Sequence, residues 1–307
     1  MIEAKALSKQ FGQRLALQGI SFSVEEGEIY GLLGRNGAGK TTTVRILACL
    51  LQPTAGAGRV AGYDILTQAP GVRARVGILT EVPRLYERLS AWEYLDFFGE
   101  MYALPAPARR ARAEELLRLV GLWELRGERL RGYSKGMKQK VAIARALLHK
   151  PRVVFFDEPT AALDPEAAKT VRDYLQYLAE ERRVTVLLCT HNLAEAERLC
   201  RRLSIVRGGR QIAEGTPAEL KATIGQRMIL RLGEQQPALL TALRAVDGVE
   251  DVEPVNGRIY FKTSYPERVN PRVVAQLVAQ GGEIVSLEAE DVQLEDVYLA
   301  FVRDIED

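Results

Sequence analysis

The residues best suited to chemistry lie in Gly34-Arg35-Asn36-Gly37-Ala38-Gly39-Lys40-Thr41-Thr42, which fits the pattern G-x-x-x-x-G-K-[ST]. Glycines let a backbone wrap closely, so that successive N–H groups and a following helix N-terminus point at phosphate oxygens. In that arrangement Lys40 reaches the β- and γ-phosphates of a nucleotide, and the Thr41 hydroxyl is a ligand for Mg²⁺. The flanks agree. Glu28 to Leu33 reads as a short buried strand, and Val44, Ile46, Leu47, Leu50 and Leu51 follow at helical spacing.

A second concentration of chemistry is Asp157-Glu158, directly after the apolar run Val153-Val154-Phe155-Phe156. Such a run suits a strand buried on both faces, and open α/β sheets place their ligands at strand C-termini. Asp157 is positioned to orient Mg²⁺ through water, and Glu158 to accept a proton from an attacking water. His191 follows another apolar strand, Val184 to Thr190. Ser134 reads as the N-cap of a helix with apolar positions Met137, Val141, Ala144 and Leu148.

These motifs occur in an order that resembles the ABC ATPase family over roughly residues 1–220. Ser134-Lys135-Gly136-Met137-Lys138-Gln139 stands where that family has its signature, and Ala161-Ala162-Leu163-Asp164 where it has the D-loop. The resemblance implies an α/β fold: a P-loop ABC ATPase core with a helical subdomain at about 85–150. It implies ATP and Mg²⁺ as ligands and His191 as the γ-phosphate sensor. Ser134, Gly136 and Asp164 face nucleotide held by an opposite subunit, in a homodimer or a pseudo-dimer with a second ATPase. Phe11 matches the aromatic that stacks on adenine, with a place in the core as its rival. Glu81 stands where the family usually has a glutamine and is counted among the Mg²⁺ and nucleotide ligands. Lys135 and Met137 replace a glycine and a glutamine, a form similar to drug, antibiotic or sodium exporters. The implied partners are transmembrane permease subunits, and the implied location is cytoplasmic, peripheral on the inner face of the cell membrane. A non-transport ABC ATPase acting on the ribosome or DNA is the alternative.

Composition is compatible with this. Lys plus Arg is 42 against 40 for Asp plus Glu, a net charge of +2 that gives no electrostatic reason to expect nucleic acid. Three distant cysteines, Cys49, Cys189 and Cys200, suit reduced thiols rather than a disulfide framework. No apolar run approaches the ~20 residues that span a bilayer.

Several elements are needed to carry these residues. Ser90-Ala91-Trp92-Glu93 is a capping box opening one helix, and a second follows Pro105-Ala106-Pro107 and stops at Gly121. Arg109, Arg110 and Arg112 on the second read as a solvated face, and His149 as a surface or helix-dipole partner. The core is expected to end at residue 223. Residues 224–307 then alternate in βαββαβ order, a small α+β (ferredoxin-like) accessory domain. Its second helix is opened by Asn270-Pro271, and a last helix carries Leu294, Val297, Tyr298, Phe301 and Val302.

Overall fold

A computed structural model of the chain describes residues 1–234, 236–290 and 292–301, and the backbone of 302 and 303. It divides into two compact units, Met1–Thr216 and Pro217–Asp307.

The first unit opens with a hairpin, β1 (Ile2–Phe11) and β2 (Arg14–Val24), then β3 (Ile29–Leu33), α1 (Lys40–Leu47), β4 (Ala55–Val60) and β5 (Tyr63–Asp64). It continues through α2 (Ala69–Arg73), β6 (Val76–Leu79), α3 (Ala91–Met101), α4 (Ala106–Leu119) and α5 (Lys135–Leu147). Next come β7 (Val153–Asp157), α6 (Pro165–Glu180), β8 (Thr185–Thr190), α7 (Leu193–Leu199), β9 (Arg202–Arg207) and β10 (Arg210–Gly215).

Among the described residues two sheets form this unit. One has the order β2-β1-β4-β5, the other β10-β9-β3-β8-β7-β6. In the second sheet every pairing from β9 to β6 is parallel, and only β10 runs antiparallel to its neighbour. Its strands β3, β7 and β8 are buried at every position, which is why they read as unbroken apolar runs. Leu17, Leu32, Ile46, Phe155 and Leu187 belong to one core that joins the two sheets and α1. Because β3, β7 and β8 are parallel neighbours, their C-terminal ends emerge side by side. Those ends lead into Gly34, Glu158 and His191.

Helices α3, α4 and α5 pack on one another, and α5 also lies against β6. The Ser90–Glu93 capping box is present, with both reciprocal bonds made. Helix α1 stops at Leu47, so Leu50 and Leu51 do not continue its apolar face. Cys49 turns the chain with φ 56° and Leu50 ends exposed.

Two surface expectations fail. Arg109 and Arg112 are not a solvated face: Arg109 Nε donates to Asp96 Oδ1 at 2.6 Å, and Arg112 donates to the Leu147 carbonyl. Of the three, Arg110 alone is exposed. His149 is no dipole partner either. It is stacked on Tyr102 with ring centroids 3.9 Å apart, its Nε2 is 3.1 Å from the Val76 carbonyl, and burial holds its pKa down at about 4. A neutral ring cannot complement a helix C-terminus.

The second unit begins earlier than residue 223, because α8 (Pro217–Thr223) packs against α11 (Leu294–Arg303). Between them run β11 (Gln226–Leu232), α9 (Pro237–Arg244), β12 (Glu250–Val255), β13 (Arg258–Thr263), α10 (Pro266–Ala279) and β14 (Ile284–Ala289). The sheet order β12-β13-β11-β14, antiparallel throughout, is that of a ferredoxin-like fold. Its core holds Leu230, Leu243, Ile259, Phe261, Val273 and Leu277. Helix α10 starts at Pro266, not at Asn270. Pro271 lies inside it, close enough to the start that its missing N–H forfeits a single bond. The side chain of Val302 lies outside the described residues.

Candidate active site

The loop between β3 and α1 is shaped by its glycines. Gly39 has φ 116°, and a Cβ there would stand 2.6 Å from Leu17 Cδ2, so no other residue fits. Gly39 also caps α1, which leaves the first amides of that helix unpaired within it and turned toward the loop. Lys40 is buried. Its Nζ donates to the Gly34 carbonyl at 2.5 Å, which holds the ammonium across the loop's mouth.

Loop and strand end meet directly. Thr41 Oγ1 donates to Asp157 Oδ2 at 2.6 Å. Burial pushes the Asp157 carboxyl above the usual range. The Thr41 hydroxyl and the Lys40 ammonium pull it back, and the charges of Glu158 and Glu81 add to the rise. Negative charge is thus concentrated at Asp157, where a cation would relieve it.

Glu158 has φ 53°, an uncommon conformation for a residue with a side chain, held in place by its N–H bond to the Cys189 carbonyl at 2.9 Å. The turn aims the carboxylate sideways, toward the end of β8. There Oε1 accepts the His191 backbone N–H at 2.9 Å and lies 2.7 Å from His191 Nδ1, while Oε2 accepts the Thr190 hydroxyl at 3.2 Å. Glu158 is 6 % exposed, whereas the His191 side chain is 59 % exposed. The histidine therefore bridges a buried carboxylate and open space.

A cavity of about 400 Å³ gathers most of the residues expected from sequence: Phe11, the loop from Asn36 to Thr42, Glu81, Asp157 and Glu158. Phe11 is 49 % exposed and not a core residue; Lys9 Nζ lies over its ring, 5.1 Å from the centroid, which leaves the other face for stacking. Glu81 and Asp157 border a second cavity too, a groove of about 830 Å³ with Val82, Phe98, Met101 and Tyr102 in its wall. Ser134, Gly136 and Asp164 do not line the loop cavity. Ser134 is exposed and caps α5 through the Met137 N–H. A Cβ on Gly136 would come within 2.8 Å of the Ala162 carbonyl, so this glycine lets α5 approach the Ala161–Asp164 turn. Asp164 caps α6 by accepting the Ala167 N–H, a bond that lowers its pKa.

Sequence reasoning missed the residues that hold Glu158 in place. Gln139, buried on α5, donates to the carbonyls of Glu158 and Pro159. Thr190 and Glu195 stand behind the carboxylate. A polar residue on the same side of α5 as Ala142 and Ala146, and a glutamate just after the Asn192 cap of α7, were the signals available.

Residues 17–161 match the ABC transporter family, and residues 215–302 match the C-terminal domain of DrrA1-3-like ATP-binding proteins. The linearmycin resistance ATP-binding protein LnrL of Bacillus subtilis (strain 168) is 34 % identical over 303 residues, 97 % of each chain. The chain belongs to the ABC transporter ATP-binding proteins. The daunorubicin resistance ATP-binding protein DrrA3 of Streptomyces coeruleorubidus is 38 % identical over 97 % of this chain and 91 % of its own. The Nod factor export ATP-binding protein I of Ralstonia nicotianae (strain ATCC BAA-1114 / GMI1000) is 34 % identical over 97 % of this chain and 92 % of its own.

Among solved structures, a dimeric ATP-binding cassette in a post-hydrolysis state bound to ADP and Pi is similar with a TM-score of 0.66 and 28 % identity. It covers 70 % of this chain and 98 % of that one. An ATP-binding subunit of an ABC transporter gives a TM-score of 0.68 and 33 % identity over 73 % and 93 %. The chain is thus an ATP-binding, ATP-hydrolysing subunit of the exporter type. None of these relatives is named for work on the ribosome or on DNA.

Proposed function

We propose that the loop cavity binds ATP with Mg²⁺ and that Glu158 draws the proton from the attacking water, driving export through separate transmembrane subunits. The supporting observation is that the buried Glu158 carboxylate, held by His191 at 2.7 Å, lines the same cavity as Lys40, Thr41 and Asp157. Phe11 stacks on the base, and Gly34, Asn36, Gly37, Ala38, Gly39 and Thr42 wrap the phosphates with Lys40. Thr41 and Asp157 offer the hard oxygen donors that suit Mg²⁺, with Glu81 beside them. Among the described residues no cluster of three or more acidic, histidine or cysteine side chains could hold a metal alone. The ion would therefore complete its shell with phosphate oxygens and water. When bound, it neutralises charge on the β- and γ-phosphates.

The in-line water sits between Glu158 and the γ-phosphate. His191, exposed on one side and bonded to Glu158 on the other, senses that phosphate and fixes the carboxylate. Ser134, Gly136 and Asp164 serve the nucleotide of a second ATPase subunit. Exposure of Ser134 at the start of α5 and the dimeric form of a solved relative support this reading.

The groove beside Glu81 receives a helix of the membrane partner. Its wall combines Val82, Phe98, Met101 and Tyr102 with Arg45, Arg73 and Arg84. No helix among the described residues is long and apolar enough to cross a membrane, so attachment to the inner face of the cell membrane comes through that partner. Names of relatives that specify drug resistance and Nod factor export support a small-molecule cargo, chosen by the membrane subunit. Purification of the Glu158→Gln protein with ATP from native membranes tests this. A polytopic membrane protein should co-purify. Recovery of ribosomes or DNA in its place would contradict the transport reading.

A further inference from the structure

We propose that Glu195 is a positioning residue for ATP hydrolysis, a second buried carboxyl that holds Glu158 through Thr190 and Thr160. The inference rests on Glu158 being the catalytic carboxylate.

The geometry is a proton count. Thr190 Oγ1 lies 3.2 Å from Glu158 Oε2 and 3.3 Å from Glu195 Oε2, and it accepts the Asn192 N–H at 3.0 Å. A hydroxyl carries one proton, so Thr190 can donate to one carboxyl only. With both carboxylates ionised, one of the two oxygen pairs has no proton between its members. Two arrangements satisfy every contact, with the extra proton on Glu195 or on Glu158, and only the first leaves Glu158 able to take a proton from water. In the first, Glu195 holds a proton on Oε2 and gives it to Thr190 Oγ1, and the Thr190 proton then goes to Glu158 Oε2. Burial favours this form, since it pushes the Glu195 carboxyl above the usual range against the hydrogen bonds of Thr160 and Thr190 and the charge of Arg172.

The other oxygen of Glu195 anchors the backbone. Thr160 Oγ1 donates to Glu195 Oε1 at 2.7 Å, and Thr160 follows Glu158-Pro159 in the turn where Glu158 has φ 53°. Glu195 is itself 4 % exposed and fixed at the start of α7 by the Asn192 cap. It therefore ties both the side-chain partner and the strained turn of Glu158 to one helix. It does not line the nucleotide cavity. Its loss should move the catalytic carboxylate without removing any group that binds ATP, and small misplacements of that kind cost on the order of 100-fold in rate.

The test uses the full chain, with steady-state kinetics at several ATP concentrations and direct binding of a non-hydrolysable ATP analogue. Glu195→Ala should lower kcat by at least about 20-fold with KM and analogue affinity within about threefold. Glu195→Gln should keep at least about a third of kcat, because its amide donates to Thr190 and its oxygen accepts from Thr160 as the protonated acid does. Thr190→Val, which keeps the side-chain shape, should lose kcat like Glu195→Ala, and the double variant should be within about twofold of the worse single one. Thr190→Val and Glu195→Gln decide the matter if Glu195→Ala does not fold. A Glu195→Ala protein with normal kcat, a Glu195→Gln protein as slow as the alanine variant, or fully multiplicative losses would each overturn the proposal. Glu158→Gln is measured alongside. If it turns over normally, the catalytic assignment of Glu158 has failed; if it is inactive while Glu195→Ala is normal, only the role of Glu195 has.

Discussion

Lowering the pH should destabilise the first unit through one partly buried histidine. His149 sits against Tyr102 and bonds the Val76 carbonyl, with its pKa held at about 4 by burial. An unfolded chain returns it to about 6.5. The folded value is the lower, so between these pH values the unfolded state binds more protons, and stability falls as pH falls. Full stability is present above pH 6.5. At pH 5 the loss is RT ln of (1 + 10^1.5) over (1 + 10^−1), or about 2 kcal/mol. The chain's two tryptophans, Trp92 and Trp123, both lie in the first unit, so urea unfolding followed by tryptophan fluorescence reads that unit alone. His149→Phe keeps a stacking ring and removes the titration. Between pH 7 and pH 5 the native protein should lose about 2 kcal/mol more than this variant. Equal losses, or an NMR titration of His149 near 6.5, would show that the ring is not buried as described.

Three further outcomes follow from the site and the unit boundary. Lys40→Ala removes the ammonium that spans the loop, and nucleotide affinity or turnover should fall by about 100-fold, on the order of 3 kcal/mol; both within twofold of native would refute the phosphate-loop assignment. Glu81→Gln keeps an oxygen beside Asp157, so basal ATPase should change by no more than a few-fold, while stimulation by the reconstituted membrane subunit should be lost; abolished basal activity would mean that the charge itself serves catalysis. A chain ending at Thr216 retains the first unit's own core and all proposed site residues, so it should fold and bind an ATP analogue with affinity within about twofold; failure to bind would give the second unit a share in the site.

Much of this was legible in the sequence because the site is built at element ends. Apolar runs such as Val153 to Phe156 mark buried parallel strands, and whatever polar residue follows must emerge at the ligand edge of the sheet. Asp157, Glu158 and His191 all emerge there. The ferredoxin-like order of the second unit was legible for a similar reason, since its strands alternate with short amphipathic helices. What stayed hidden depends on contacts remote in sequence. No local pattern tells that Arg109 reaches back to Asp96, or that His149 is covered by Tyr102. Charge-rich helix faces read as solvated until their neighbours are known. Thr190 and Glu195 escaped notice because each is ordinary at its position, a strand-end threonine and a first-turn glutamate. They become informative only when β7 and β8 bring them behind Glu158. Leu50 misled for another reason: periodicity carried on past Leu47, but the Cys49 turn ended the helix and left the side chain to the groove.

The central claim is that Glu158 performs the hydrolysis at the loop cavity. The most direct measurement is ATP turnover by Glu158→Gln together with its equilibrium ATP binding. The amide keeps the shape and can still bond its neighbours, but it cannot take a proton from water. Undiminished or tighter ATP binding, with steady-state hydrolysis reduced at least about 100-fold, is the predicted result. Hydrolysis within a few-fold of the native protein, with ATP bound normally, would contradict the account.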